Sequence, residues 1–132
     1  MRNFDKNIVI TAAVLAAVTI GLGAFGAHGL KQMIDAKSIG VFETAVRYQM
    51  YHVLAIFVLG FTNLIPIATK RWTFRFFIFG IILFSGSLYL LSLNEVISFD
   101  TSIIGFITPI GGVLFIIGWL RLAYGMYKLK SE

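Results

Sequence analysis

Four apolar stretches, each long enough to cross a bilayer, dominate the chain: Ile8 to Ala27, Phe42 to Ile65, Phe76 to Leu93 and Ile103 to Tyr124. About 20 largely apolar residues are needed to span the hydrocarbon core as a helix. Inside that core every backbone amide must be satisfied within its own segment or a closed barrel. The pattern predicts an all-α membrane protein, a four-transmembrane-helix bundle in one domain over residues 1–132. Composition agrees, since 58% of residues are hydrophobic and only 13% charged. Soluble domains average roughly 45–50% and about 25%.

The net charge of +5 raises nucleic acid as a partner, but the bases flank the apolar runs instead of forming a patch interleaved with exposed aromatics. Bases at the edges of spans are topology signals and also suit anionic headgroups. With no cysteine, disulfides, thiolate metal sites and cysteine nucleophiles are excluded.

Segment one follows Arg2 and Lys6, and Ala24 and Gly26 could mimic a signal-peptide cleavage site. Its apolar run exceeds the roughly 7–15 residues of a signal core, so it reads as a retained helix. Ala13, Ala17, Gly21 and Ala24 recur at helical spacing, a small-residue stripe that lets another helix approach closely. The letters Gly21-Leu-Gly23-Ala-Phe-Gly26 match a dinucleotide fingerprint but lack the strand and βαβ unit that give it meaning. Between segments one and two, Leu30, Met33 and Ile34 alternate with Lys31, Asp35 and Lys37. That spacing predicts a short amphipathic helix at the interface, bounded by Gly29 and Gly40.

Segment two ends near Pro66, and a basic turn with Lys70, Arg71, Arg75 and Trp72 follows. Asp100, Thr101 or Ser102 can cap segment four. Within it Gly111, Gly118 and Gly125 recur every seven residues and allow close left-handed packing. Pro109 deprives the Gly105 carbonyl of its partner and predicts a kink. Trp72 and Trp119 read as interfacial anchors.

With four spans both termini share a side. Arg2, Lys6, Lys70, Arg71, Arg75, Arg121, Lys128 and Lys130 lie there, against Lys31, Lys37 and Arg47 opposite. The positive-inside rule then puts both termini in the cytoplasm. Counting about 1.5 Å per residue places His52 roughly 15 Å below an outer helix start at Phe42, with Ser87 at similar depth. Thr108 lies in the outer third of segment four, and His28 closes segment one. The polar residues thus gather in the outer half and leave the inner half nearly pure hydrocarbon.

Ionisable groups in a membrane helix mark function by default, so His28, Glu43, Thr44, Arg47, Tyr48, His52, Ser85, Ser87, Tyr89 and Thr108 form the candidate cluster. Glu43 and Arg47, at i and i+4, are either an ion pair at the outer interface or a charge pair that orients a ligand such as a lipid phosphate. His52 is either a neutral histidine satisfied by a serine or tyrosine of another helix, or a haem ligand or proton relay. His28 and His52 lack metal-ligand spacing. Ser85, Ser87 and His52 lack a nucleophile elbow and a carboxylate to orient the histidine. No catalytic residue, metal or cofactor is expected from these residues.

The runs GAFGAHGLK (Gly23 to Lys31), FETAVRYQMYH (Phe42 to His52), FSGSLY (Phe84 to Tyr89) and TPIGG (Thr108 to Gly112) resemble the bacterial domain-of-unknown-function family 423. That family is similar to eukaryotic transmembrane protein 256. The resemblance spans nearly the whole chain and implies a small multi-pass membrane protein without an activity to carry over. Its signature residues fall on His28, Thr44, Tyr48, His52, Ser85, Ser87, Tyr89, Thr108 and Pro109. The reading that follows is non-enzymatic. The outer cluster binds a small polar or lipid-headgroup ligand or a partner chain, with the bilayer as the constant neighbour. The alternatives are a subunit of an oligomeric transporter or proton-linked channel, and a membrane enzyme or haem protein.

Overall fold

The computed structural model describes residues 1–129; Lys130, counted above among the bases, lies outside them. Among the described residues all regular structure is helical. Helix α1 runs Asn3–His28 and α2 Ala36–Phe61. Helices α3 (Ile67–Gly80) and α4 (Gly86–Ser92) are joined by a π-helical turn, Ile81–Ser85, into one rod. Helix α5 runs Thr101–Tyr127. Three of these rods, Asn3–Gln32, Ile67–Ser92 and Thr101–Tyr127, are long and apolar enough to cross a membrane. Helix α2 is equally long, but Glu43, Arg47, Gln49 and His52 dilute its apolar character.

Several boundaries depart from the sequence reading. The expected amphipathic helix is only the turn Leu30–Gln32, because Asp35 starts α2 before Phe42. Its carboxylate accepts from the Ser38 amide at 2.7 Å, an N-cap that satisfies one of the free amides of the first turn. Gly40 therefore lies within α2, not at an end. At the other side α2 stops at Phe61, and Pro66 is the N-cap of α3. The bases Lys70, Arg71 and Arg75 thus ride on a helix instead of a turn. Helix α5 stays continuous through Pro109. The irregular backbone is the π turn on the facing rod, where the Gly86 amide reaches back to the Ile81 carbonyl.

Antiparallel neighbours follow from which residues meet. A Cβ on Gly60 of α2 would touch Val9 and Ile8 near the start of α1, and one on Gly26 near the end of α1 would touch Phe42 of α2. Helices α3 and α5 are paired the same way through Gly125 against Thr69 and Gly118 against Phe77, and Gly111 faces the backbone of Leu83 and Phe84 in the π turn. All three glycines are buried. Without Cβ atoms they let backbones approach closely, which matters in lipid because apolar burial gives little drive between helices. The stripe Ala13, Ala17 and Gly21 of α1 is exposed, and no atom of a neighbouring element comes within 4 Å of a Cβ built on Gly21. The face that packs on α2 carries Ile8, Ala12, Thr19 and Gly26 instead.

The core divides in two. Ile8, Ala12, Val53, Ile56, Leu59, Phe77, Ile81 and Phe115 fill the end nearer the N-terminus. Leu30, Ile34 and Phe42 fill the end with the loops after α1 and α4. That loop end is latched by Glu95, which accepts from Ser38 Oγ at 2.6 Å and from the Asp35 amide at 3.2 Å.

Candidate functional site

The ten residues read from the sequence as one cluster separate into small groups at different places between the helices. His52 is 4% exposed, and its ring stacks on Phe115 with centroids 3.5 Å apart and planes 9° from parallel. Its Nδ1 donates to the Tyr48 carbonyl at 2.7 Å, and its Nε2 accepts from the Trp119 indole N–H at 3.1 Å. These two bonds require the neutral ring with its proton on Nδ1. Both ring nitrogens are thus engaged within the bundle. The partner is a tryptophan, where the sequence pointed to a serine or tyrosine. Because α2 begins at Ala36, His52 sits roughly 24 Å along the helix, past its midpoint. Trp119 is thus held by a partner inside the bundle besides presenting an exposed edge.

Tyr48, Phe84, Gly112, Phe115, Ile116 and Trp119 complete an aromatic cavity of about 360 Å³ beside His52. Ser87 and Thr108 share a hydrogen bond of 2.6 Å between α4 and α5. Ser85, fully buried in the π turn, donates to the Ala45 carbonyl of α2 at 2.8 Å. The pair of serines is therefore split between two neighbours, and neither reaches His52. Tyr89 donates to Gln49 Oε1 at 2.9 Å, and Gln49 Nε2 donates to Thr19 at 2.8 Å. Thr19 in turn donates to the Leu15 carbonyl at 2.6 Å. This ladder ties α4 to α2 and α1. His28 is exposed at the loop end with Nδ1 bonded to the Ala24 carbonyl, and Thr44 donates to the Gly40 carbonyl.

Glu43 and Arg47 do not close on one another. Among the described residues the ion pairs are Arg2–Asp5 and Lys70–Asp5. The guanidinium of Arg47 makes one long contact, 3.5 Å to Thr44 Oγ1. Both side chains instead line an open groove of about 320 Å³ between α1 and α2, with Gly23, Gly26, Ala27, Phe42 and Val46. Glycines on the α1 side make the groove, since a Cβ on Gly26 would strike the Phe42 ring. The groove offers an apolar wall, one carboxylate and one guanidinium.

The opposite end carries polar chemistry absent from the sequence reading. Lys70 is fully buried; its Nζ donates to Asp5 Oδ1 at 2.7 Å and to the Thr62 carbonyl at 2.6 Å. Asp5, also buried, accepts from Arg2 Nε at 2.7 Å. Arg121 donates to Thr69 at 3.1 Å, while Thr73 Oγ1 is buried without a partner among the described residues. The inner half is therefore not the plain hydrocarbon expected.

A family described as Protein of unknown function (DUF423) matches residues 22–112. The chain belongs to the DUF423 family. It is 45% identical to a UPF0382 membrane protein of Staphylococcus saprophyticus over 94% of this chain and 99% of that one. It is 42% identical to the UPF0382 membrane protein YwdK of Bacillus subtilis, over 93% and 98% of the two chains. A Haemophilus influenzae UPF0382 membrane protein is 40% identical over 96% and 98%. No solved structure matches the chain. This DUF423 protein is accordingly a helical membrane protein of a bacterial family. The family match contains the groove and His52, and the buried Asp5, Trp119 and Arg121 lie beyond it.

Among the described residues of this DUF423 chain no three His, Cys, Asp or Glu side chains come together to hold a metal ion. Reading by charge missed Gln49 and Thr19, which are polar without standing out in an apolar run. Asp5 was the one legible signal: an acid in the first turn of a helix that begins among bases. Its partner, 65 residues away, could not be read from spacing.

Proposed function

We propose that this DUF423 protein is a four-span, non-enzymatic protein of the bacterial cytoplasmic membrane, with both termini inside, that holds a zwitterionic phospholipid headgroup between α1 and α2. The observation that carries the reading is that Glu43 and Arg47 line one groove without pairing to each other. A guanidinium suits a phosphate through its planar fork of donors, and a carboxylate one turn away suits a primary ammonium. Phe42 and Val46 give an acyl chain an apolar surface beside them. The four-span topology draws on the length of α2 and on the antiparallel pairing of neighbouring rods; the orientation draws on the bias of bases toward the end with the termini.

Native mass spectrometry from nanodiscs tests the ligand. Phosphatidylethanolamine is expected to remain on the wild type, and to be lost from both Glu43→Gln and Arg47→Gln. Equal retention of phosphatidylcholine, whose ammonium cannot donate, would remove the role given to Glu43; unchanged retention in Arg47→Gln would sink the site.

A second reading is assembly into oligomers through α1. Its support is the outward-facing stripe Ala13, Ala17 and Gly21. A Gly21→Leu variant with the same mass as a multimeric wild type in native membranes would count against it.

A further inference from the structure

We propose that the cavity between the start of α3 and the end of α5 is a second, separate site, which binds a phosphate ester anion. The cavity measures about 290 Å³ and is lined by Pro66, Thr69, Arg121, Tyr124, Gly125 and Lys128, with Leu129 at its edge. Arg121 is half-buried, and among the described residues its hydrogen bond goes to a neutral group, Thr69 Oγ1, at 3.1 Å. Among the described residues no carboxylate lies within ion-pair distance of Arg121 or Lys128. Asp5, buried at this end, is already engaged by Lys70 and Arg2.

The shape of the cavity is fixed by packing. Gly125 admits Thr69 against the backbone of α5, where a Cβ would collide with that side chain. Lys128 lies over the Tyr124 ring, 4.8 Å from its centroid, so its charge is held near the rim at the cost of little freedom. The first turn of α3, which begins after Pro66 and has no side-chain cap, adds partial positive charge from amides that the helix itself leaves unpaired. A half-buried guanidinium, an ammonium and a hydroxyl around one cavity make an arrangement that a phosphate completes, by charge and by its several acceptor oxygens. Basic recesses between membrane helices bind anionic headgroups by the same physics. Among the described residues the carboxylate of the α1–α2 groove has no counterpart here, so the site selects anions where that groove selects a zwitterion.

The test counts lipids by native mass spectrometry on protein from phosphatidylcholine nanodiscs containing phosphatidylglycerol, alongside a calorimetric titration of delipidated protein with glycerol phosphate. Wild type is expected to retain phosphatidylglycerol, and Arg121→Gln and Lys128→Gln each to lower retention roughly fivefold, the effect of about 1 kcal/mol per base. Arg75→Gln, which removes a base of α3 held over Trp72 instead, is expected to leave it unchanged. Lys128 is exposed, so its variant keeps the test open if loss of Arg121 impairs folding. Binding of glycerol phosphate without lipid preference, abolished by the same two variants, would uphold the site and assign it to a soluble ester. An equal loss in Arg75→Gln, or neither lipid retention nor glycerol phosphate binding in wild type, would overturn the proposal.

Discussion

Lys70 is the residue on which burial and charge meet most sharply. Its ammonium is fully enclosed, and only Asp5 and the Thr62 carbonyl answer it. Two charges taken from water lose hydration that their mutual attraction roughly restores, so the pair itself contributes little; removing one member strands the other. Lys70→Met and Asp5→Leu are each expected to cost about 3–5 kcal/mol. The double variant should lose far less stability than the sum of the two single losses, as a double-mutant cycle of thermal unfolding in detergent would measure. Arg2 tempers the Asp5 side of the cycle, because it remains beside the carboxylate when Lys70 is gone. His52 shows the complementary case: a titratable ring made structural by two hydrogen bonds and a stacked phenyl. Neither outcome was legible from residue type alone, since the sequence marks both as ionisable and only the third dimension supplies the partners.

At the scale of elements, length and apolarity located the rods, while capping and proline chemistry set their ends. The start of α2 at Ala36 was available in the pattern Asp35-Ala-Lys-Ser38, an acid ahead of a free amide, but alternation of Leu30, Met33 and Ile34 with bases pointed to a separate helix. The π turn at Ile81–Ser85 carries no sequence signature; it arises where Gly111 of α5 comes against the Leu83 and Phe84 backbone. The two small-residue stripes, alike on paper, therefore have unlike environments. Gly111→Val is expected to destabilise the protein by about 1–3 kcal/mol through overpacking. Gly21→Ala, which meets open space, is expected to be neutral or to gain roughly 0.5–1 kcal/mol of helix propensity. Thermal unfolding of the two variants side by side checks the contrast. The candidate site was legible only in its members: the groove residues Glu43 and Arg47 were named, but their lack of mutual pairing depends on where α1 lies.

Across the whole molecule the two ends differ in how they are fastened. The N-terminal end is closed by buried charge, and the loop end by exposed caps. At Asp35 the Ser38 amide holds the carboxyl below its ordinary 3.8, as the Ser102 amide and hydroxyl do for Asp100. A depressed folded-state value gives stability that is complete above the unfolded pKa and is lost as pH falls through the folded one. Acidification below about 3.8 is therefore expected to loosen the first turns of α2 and α5 ahead of the N-terminal end. Hydrogen exchange of the Ser38 and Ser102 amides between pH 5 and pH 3, corrected for intrinsic rates, would show it; unchanged protection would count against the caps. The Asp5–Lys70 contact has a further meaning in time. The acid leaves the ribosome 65 residues before the base, so at roughly 5–20 residues per second it waits some seconds with Arg2 alone for company. Only a nascent chain elongated past α2 can complete the pair, so the contact marks the point at which the start of the third rod has joined the first, and a product that ends before Lys70 would leave Asp5 to Arg2.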